Sequence, residues 1–266
     1  MVESLKELNR ICQKPRYKEV GNWLVRTILR DAALPITWLF LHTRITANQV
    51  TLISLLVGLL GVCFFALPSA ACFFIGVLLL QLWYLLDHVD GQIARYYGTA
   101  SLTGRFFDFM THHLMHGVIF FSLGFYAFAE TGHFIYVLWG FLASIAMMMF
   151  NLIHDTKYKT FFEKLYLMKT VTLAEEKVSD ETIEVSKGRD SLKKVFSFLH
   201  KICEIHVLMN ILTVASIFQF LTKESFDFRI FLFGIYGLIV PVMAIVKISY
   251  LITRGKIDEE YQSLIR

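Results

Sequence analysis

The chain has 266 residues, of which 56% are hydrophobic and 18% charged, and its 25 Phe accompany a formal net charge of +4. A soluble domain is nearer half apolar and a quarter charged, so this excess excludes an ordinary soluble core and calls for a bilayer as solvent. The modest positive balance, without zinc-knuckle spacing or a basic patch interleaved with aromatics, gives nucleic acid no support, and no such partner is expected.

The N-terminal segment, 1–46, precedes any long apolar run, so no cleaved signal peptide is expected. Within it Val20, Trp23, Leu24 and Ile28 recur at helical spacing, with Arg26 and Arg30 on other faces. That pattern suits a helix lying in the membrane interface, or equally an amphipathic helix packed on the spans, and Pro35 is expected to end it. Thr46-Ala47-Asn48-Gln49 then has the form of a capping box that opens the first span.

A spanning helix needs about 20 mostly apolar residues, and six stretches provide them. They cover 47–67, 69–95, 104–129, 134–153, 204–221 and 228–253. Pro68 punctuates the first hairpin, residues 130–133 the second, and Pro241 is expected to kink the last helix. The resulting fold class is all-α: a polytopic membrane protein with six transmembrane helices and an N-terminal interfacial amphipathic helix. A membrane domain over 47–253 carries an insertion at about 154–203, and a tail follows over 254–266. Residues 170–192 read as a polar loop, flanked by amphipathic pieces near 156–168 and 191–202.

Basic residues set the orientation. Eight Lys or Arg precede residue 47 and ten lie between Lys157 and Lys201, whereas the alternate connections hold only Lys223 and Arg229. The positive-inside rule makes both termini and the intervening loop cytoplasmic, in agreement with an even number of spans. Cys12, Cys63, Cys72 and Cys203 are scattered, with no C-x-x-C pair, so no disulfide is expected.

Ionisable residues inside spans are costly, and they cluster at one place. Asp87 and Asp90 are three residues apart near the end of the second span, hence neighbours on one helix face, with Ala94 on the same stripe. Asp108, His112 and His116 recur every four residues at the start of the third span. The eight residues between Arg95 and Gly104 keep the two helix ends close together. Acids facing one small volume repel unless cations are bound, and carboxylates with water suit Mg²⁺ or Mn²⁺. Two such ions can bridge a pyrophosphate and stabilise both attacking and leaving oxygens. Helix caps and interhelix hydrogen bonds are the plainer account of any one of these Asp, but a poor account of three.

Written out, the segment is Asp87-x-x-Asp90-Gly91-x-x-Ala94-Arg95-x8-Gly104-x-x-x-Asp108-x-x-x-His112. It resembles the signature of the CDP-alcohol phosphotransferase superfamily, and the Ile45-Thr46-Ala47-Asn48-Gln49-Val50-Thr51 entry to the first span extends the likeness. Ala47 stands where that family usually has Pro. The resemblance assigns Asp87, Asp90 and Asp108 to a di-metal centre of Mg²⁺ or Mn²⁺. It places Gly91, Ala94, Arg95 and Gly104, with Asp87 and Asp108, around the cytidine diphosphate. Arg95 is equally read as a basic residue at the interface.

His112 is the larger departure, because the family's last acid ligates metal and removes the proton from the acceptor hydroxyl. Imidazole can do both, with an ordinary pKa suited to a base near neutrality. His112 is therefore expected to act as metal ligand and base. The alternative is a catalytically impaired scaffold or nucleotide-lipid binder. A transporter is disfavoured, since neither an inverted repeat nor a broken midplane helix is visible. His113 points about 100° away from His112, and His116 lies about 6 Å deeper as a second-shell group or an ordinary polar contact. Lys247 is expected to pair internally or snorkel, and Asn151, His154 and Asp155 to mark a helix end or touch an acceptor. The resemblance implies an enzyme of phospholipid biosynthesis and a homodimer among membrane lipids. It would transfer a substituted phosphate group from a CDP-alcohol donor to a hydroxyl acceptor and release CMP.

Overall fold

The structure is a computed structural model that describes residues 2–13, 25–167, 197–222 and 226–264. Among these residues every regular element is helical, giving an all-α polytopic membrane protein. The elements are α1 (Leu5–Cys12), α2 (Arg30–Leu41, entered through a π-helical turn at Val25–Leu29), α3 (Ala47–Phe65), α4 (Ala70–Tyr96), α5 (Leu102–Thr131) and α6 (Ile135–Leu167). They continue with α7 (Ile205–Leu221), α8 (Phe228–Thr253) and α9 (Lys256–Leu264).

Local chemistry sets the helix ends. At α3 the Thr46 hydroxyl accepts from the Gln49 N–H and the Gln49 amide accepts from the Thr46 N–H at 2.8 Å, which is the expected capping box. Ser101 caps α5 by accepting from the Gly104 N–H at 3.0 Å. Gly132, at φ +74°, closes α5 where a side chain would strain the turn. Asp227 caps α8 by accepting from the N–H groups of Arg229 and Ile230.

Five helices, α3 to α6 and α8, are long and apolar enough to cross a membrane. The sixth expected span is α7, an apolar helix of 17 residues at the short edge of the spanning range. Leu56, Phe141, Leu238 and Ile245 are exposed on the outer faces, as lipid contact requires. Pro241 lies inside the continuous α8. The fourth span does not stop near residue 153: it runs into the expected amphipathic piece as one helix of 33 residues, about 50 Å long. The connection between α4 and α5 is correspondingly short, since helix occupies all but residues 97–101 of the stretch between Arg95 and Gly104.

Two hairpins organise the bundle, each closed by glycines. A Cβ on Gly61 would meet the Gly76 carbonyl at 2.8 Å, joining α3 to α4. A Cβ on Gly124 would meet the Gly140 Cα at 2.7 Å, joining α5 to α6. Small residues let membrane helices approach backbone to backbone, where van der Waals contact drives association. Helix α3 also packs on α5, whereas α4 and α5 make little direct backbone contact with each other. At the end of the bundle marked by Pro68, the buried Arg229 guanidinium donates to the Leu67 carbonyl at 2.7 Å and to the Tyr126 hydroxyl at 2.5 Å, linking both hairpins to α8.

The N-terminal segment packs on the opposite end of α4. Leu8 and Cys12 of α1 are fully buried with Ala33 and Leu34 of α2 and with Val89 and Ile93 of α4. Gln92 accepts from the Thr37 hydroxyl at 2.6 Å and donates to the Arg30 carbonyl at 2.9 Å. Pro35 does not end the helix as expected: it sits inside α2. The backbone bond it removes is offset by burial of Ala33, Leu34, Thr37 and Leu41 around it. Val20, Trp23, Leu24 and the loop 170–192 lie outside the described residues. All four cysteines are free, and burial pushes the Cys12 and Cys203 thiols up to about 11.

Candidate metal centre

The ends of α4 and α5 bring Asp87, Asp108 and His112 together, so that one ligand atom from each lies within 4.8 Å of the others. His112 Nε2 is 2.7 Å from Asp87 Oδ1 and 3.3 Å from Asp108 Oδ1. A carboxylate only accepts, so Nε2 carries the proton and donates it to Asp87. That single N–H leaves the buried Asp108 Oδ1 with no hydrogen-bond partner. A buried, unsatisfied carboxylate oxygen is unfavourable in a protein. Here it faces a second carboxylate and an imidazole, and this donor set fits a divalent cation of the Mg²⁺ or Mn²⁺ class.

Asp90 lies outside that group of three. One turn beyond Asp87 and nearly buried, it accepts a 2.5 Å hydrogen bond from the Thr51 hydroxyl of α3. Thr51 belongs to the span-entry motif but has no role on sequence grounds. Nothing in a linear chain says that residue 51 meets residue 90. The second ring that sequence reasoning missed is Trp83, whose centroid is 5.4 Å from that of His112 and which is almost fully buried beneath it. Its signal was the spacing: Trp83 is one helical turn before Asp87. His88 donates from Nδ1 to the Tyr84 carbonyl at 2.9 Å, 3.8 Å from Asp87 Oδ2.

The other sequence-predicted residues line the same end. The Arg95 guanidinium lies over Gly91, where a Cβ would meet Nη1 at 3.2 Å, and its Nε donates to the Cys12 carbonyl at the end of α1. Arg95 is thus tied to the N-terminal segment. Ala94 is half-buried beside it. Gly104 is close to α3, since a Cβ there would meet Asn48 Oδ1 at 3.3 Å. A cavity of about 350 Å³ opens at this end, lined by Arg44, Ile45, Thr46, Ala47, Tyr97 and Thr99.

His113 does turn away from the centre: its Nε2 donates to Asp155 Oδ2 of α6 at 2.7 Å. Asn151 donates to the Met147 carbonyl, and Lys247 is paired internally, 3.2 Å from His200 Nε2 and over the Phe150 ring. The His154 side chain lies outside the described residues. His116 is buried one turn below His112, its ring centroid 6.0 Å away, and neither of its nitrogens has a hydrogen-bond partner.

Residues 44–175, which carry all of these groups from Asp87 to Asp155, match the family model described as CDP-alcohol phosphatidyltransferase. No curated protein matches the chain.

Proposed function

Because residues 44–175 belong to the CDP-alcohol phosphatidyltransferase family, we propose that this protein transfers a substituted phosphate from a CDP-alcohol to an acceptor hydroxyl and releases CMP. The supporting observation is the convergence of Asp87, Asp108 and His112, with an unsatisfied buried oxygen on Asp108. In this reading Asp87, Asp90 and Asp108 would hold two Mg²⁺ or Mn²⁺ ions, which would supply charge neutralisation at the diphosphate and polarise the phosphorus being attacked. Gly91, Ala94, Arg95 and Gly104 flank the nucleotide.

His112 Nε2 takes the acceptor proton. The acceptor oxygen forms its bond to the phosphorus farther from cytidine, and the bond from that phosphorus to the CMP oxygen breaks. To serve as base, the neutral imidazole must carry its one proton on Nδ1 instead of Nε2, which frees the Nε2 lone pair for the acceptor proton. Only Nε2 faces the two acids, so ligation and proton removal by this atom exclude each other at any moment, and we assign proton removal to the transfer step.

The Lys and Arg distribution supports a cytoplasmic position for the centre and both termini. That position suits phospholipid head-group synthesis, with one substrate entering from the bilayer, and the family resemblance extends the reading to a homodimer. The decisive experiment is CMP release by purified protein with Mg²⁺ or Mn²⁺ and a panel of CDP-alcohols. The expected result is activity that is abolished in Asp108→Asn and in His112→Ala. Loss in Asp108→Asn with survival of His112→Ala would refute the base assignment. No CMP from the wild type with any donor would leave the scaffold reading in its place.

A further inference from the structure

Arg95 is held from outside the family segment. The family match begins at residue 44, whereas the group that holds the Arg95 side chain belongs to α1. Cys12 is the last residue of α1, and its carbonyl accepts from Arg95 Nε. The final carbonyls of a helix have no partner within it and form the negative end of its dipole, so a guanidinium there is favourable. Helix α1 is fixed on α4 at both ends and along its length. Ahead of it, the Glu3 carboxylate accepts from the hydroxyl of Tyr96, the neighbour of Arg95, at 2.5 Å. Just after it, Gln13 donates to the Arg30 carbonyl at 3.2 Å, and Gln92 of α4 donates to the same carbonyl at 2.9 Å. Between these ends Leu8 and Cys12 are fully buried in one cluster with Val89 and Ile93.

That grip sets where the charge lies. Asp87, Gly91 and Arg95 follow each other at four-residue intervals and share one face of α4. With Nε turned to α1, the rest of the guanidinium lies across Gly91, where a Cβ would meet Nη1 at 3.2 Å and Nη2 at 3.5 Å. The charged head is thus one turn nearer to Asp87 than its own backbone is. The holding atom is a neutral carbonyl, which orients a guanidinium without cancelling its charge as a carboxylate would. An Arg fixed through Nε keeps both Nη groups as a fork for two oxygens of a phosphate.

We propose that α1 is a positioning element of the nucleotide site: through the Cys12 carbonyl it holds Arg95 with both Nη groups ready for a phosphate of the CDP moiety, so that nucleotide binding and α1 docking reinforce each other. This rests on the transferase reading of the site and deepens it, since it makes residues 3–13 a control on donor affinity. The linkage is reciprocal. Undocking of α1 weakens the nucleotide by the same factor by which bound nucleotide tightens α1.

The test uses the full-length protein in detergent with Mg²⁺, and CDP as the probe. Docking is read from alkylation of Cys12 at pH 8, resolved from the other cysteines by peptide mass spectrometry, because that residue is fully buried while α1 is docked. Saturating CDP should slow Cys12 labelling about tenfold in the wild type and leave it unchanged in Arg95→Leu. Leu8→Glu forces a charge into the buried face of α1, outside the spanning helices. It should raise the CDP dissociation constant about tenfold, as loss of one hydrogen bond to a charged group does, and leave the acceptor KM within about twofold. Tyr96→Phe loosens the same helix more mildly and should shift CDP affinity less in the same direction, which keeps the comparison decisive where Leu8→Glu fails to fold. Leu8→Glu added to Arg95→Leu should weaken CDP no further. Undiminished CDP affinity in a Leu8→Glu protein whose Cys12 labels freely would overturn the proposal, as would CDP protection of Cys12 that persists in Arg95→Leu. If the wild type binds no CDP, the transferase reading fails on its own account. The ligand-free rates then still judge the anchor: Cys12 should label several-fold faster in Arg95→Leu than in the wild type, and equal rates would overturn it.

Discussion

Replacing Thr51 by Val tests how Asp90 is held. The two side chains are 5% and 8% exposed, and their hydrogen bond is 2.5 Å long, so water does not compete for either atom. Leaving a buried acceptor without its hydrogen bond costs about 1–3 kcal/mol. Val has the shape of Thr without the hydroxyl, so the substitution strands the Asp90 oxygen without opening a cavity. At about 2–4 °C per kcal/mol for a chain of this size, the metal-free protein should melt about 2–12 °C lower. Thr51→Ser, which keeps the hydroxyl, should recover most of the loss. The assay is thermal unfolding in detergent with EDTA, followed by tryptophan fluorescence. Saturating Mg²⁺ should narrow the gap, because a cation then replaces the hydroxyl as the partner of Asp90. A Thr51→Val protein melting within about 1 °C of wild type in EDTA would refute the argument, since the Asp90 carboxylate would then have another partner.

Other positions give sharper contrasts. Gly124→Ala drives a Cβ into the Gly140 backbone and should cost about 1–3 kcal/mol, whereas Gly234→Ala, with nothing within 4 Å, should be neutral or stabilise by up to about 1 kcal/mol; paired melting curves decide it. Arg229→Met strips the buried guanidinium from Tyr126 and the Leu67 carbonyl and should lower stability by about 3–5 kcal/mol, read by the same melts. The Cys12 thiol should resist alkylation at pH 8, since burial pushes its pKa up from 9.0 to about 11. A free segment ionises that thiol first, so docking of α1 is fully supported below pH 9 and weakens as pH rises towards 11. Cys12 labelling should accelerate over that window by more than the growth of thiolate alone, and a rate that tracks thiolate only would disprove the coupling.

Much of this was legible in the chain. Spans were readable because lipid imposes a minimum length, and the ends at Thr46 and Gly132 because caps and turns have local chemistry. The convergence of Asp87 with Asp108 followed from helix periodicity and a short connection. What periodicity cannot give is contact between distant segments. Thr51 on Asp90, and the Cys12 carbonyl under Arg95, depend on which helices become neighbours. Helix α1 escaped notice although Ser4 and Glu7 spell a capping box, because eight residues show too little apolar repetition to stand out. Pro35 misled for the opposite reason: a strong local rule was overridden by burial on both sides of it.

The glycine seams have a mechanical meaning. Each fastens a pair of helices along its length, yet Asp87 belongs to one fastened pair and Asp108 to the other. An ion shared between those acids would therefore be a clasp across the join between the two hairpins, added to the packing of α3 on α5. Its affinity and the cohesion of the two halves would be a single free energy seen from two sides, so whatever prises the halves apart would loosen the ion by an equal amount.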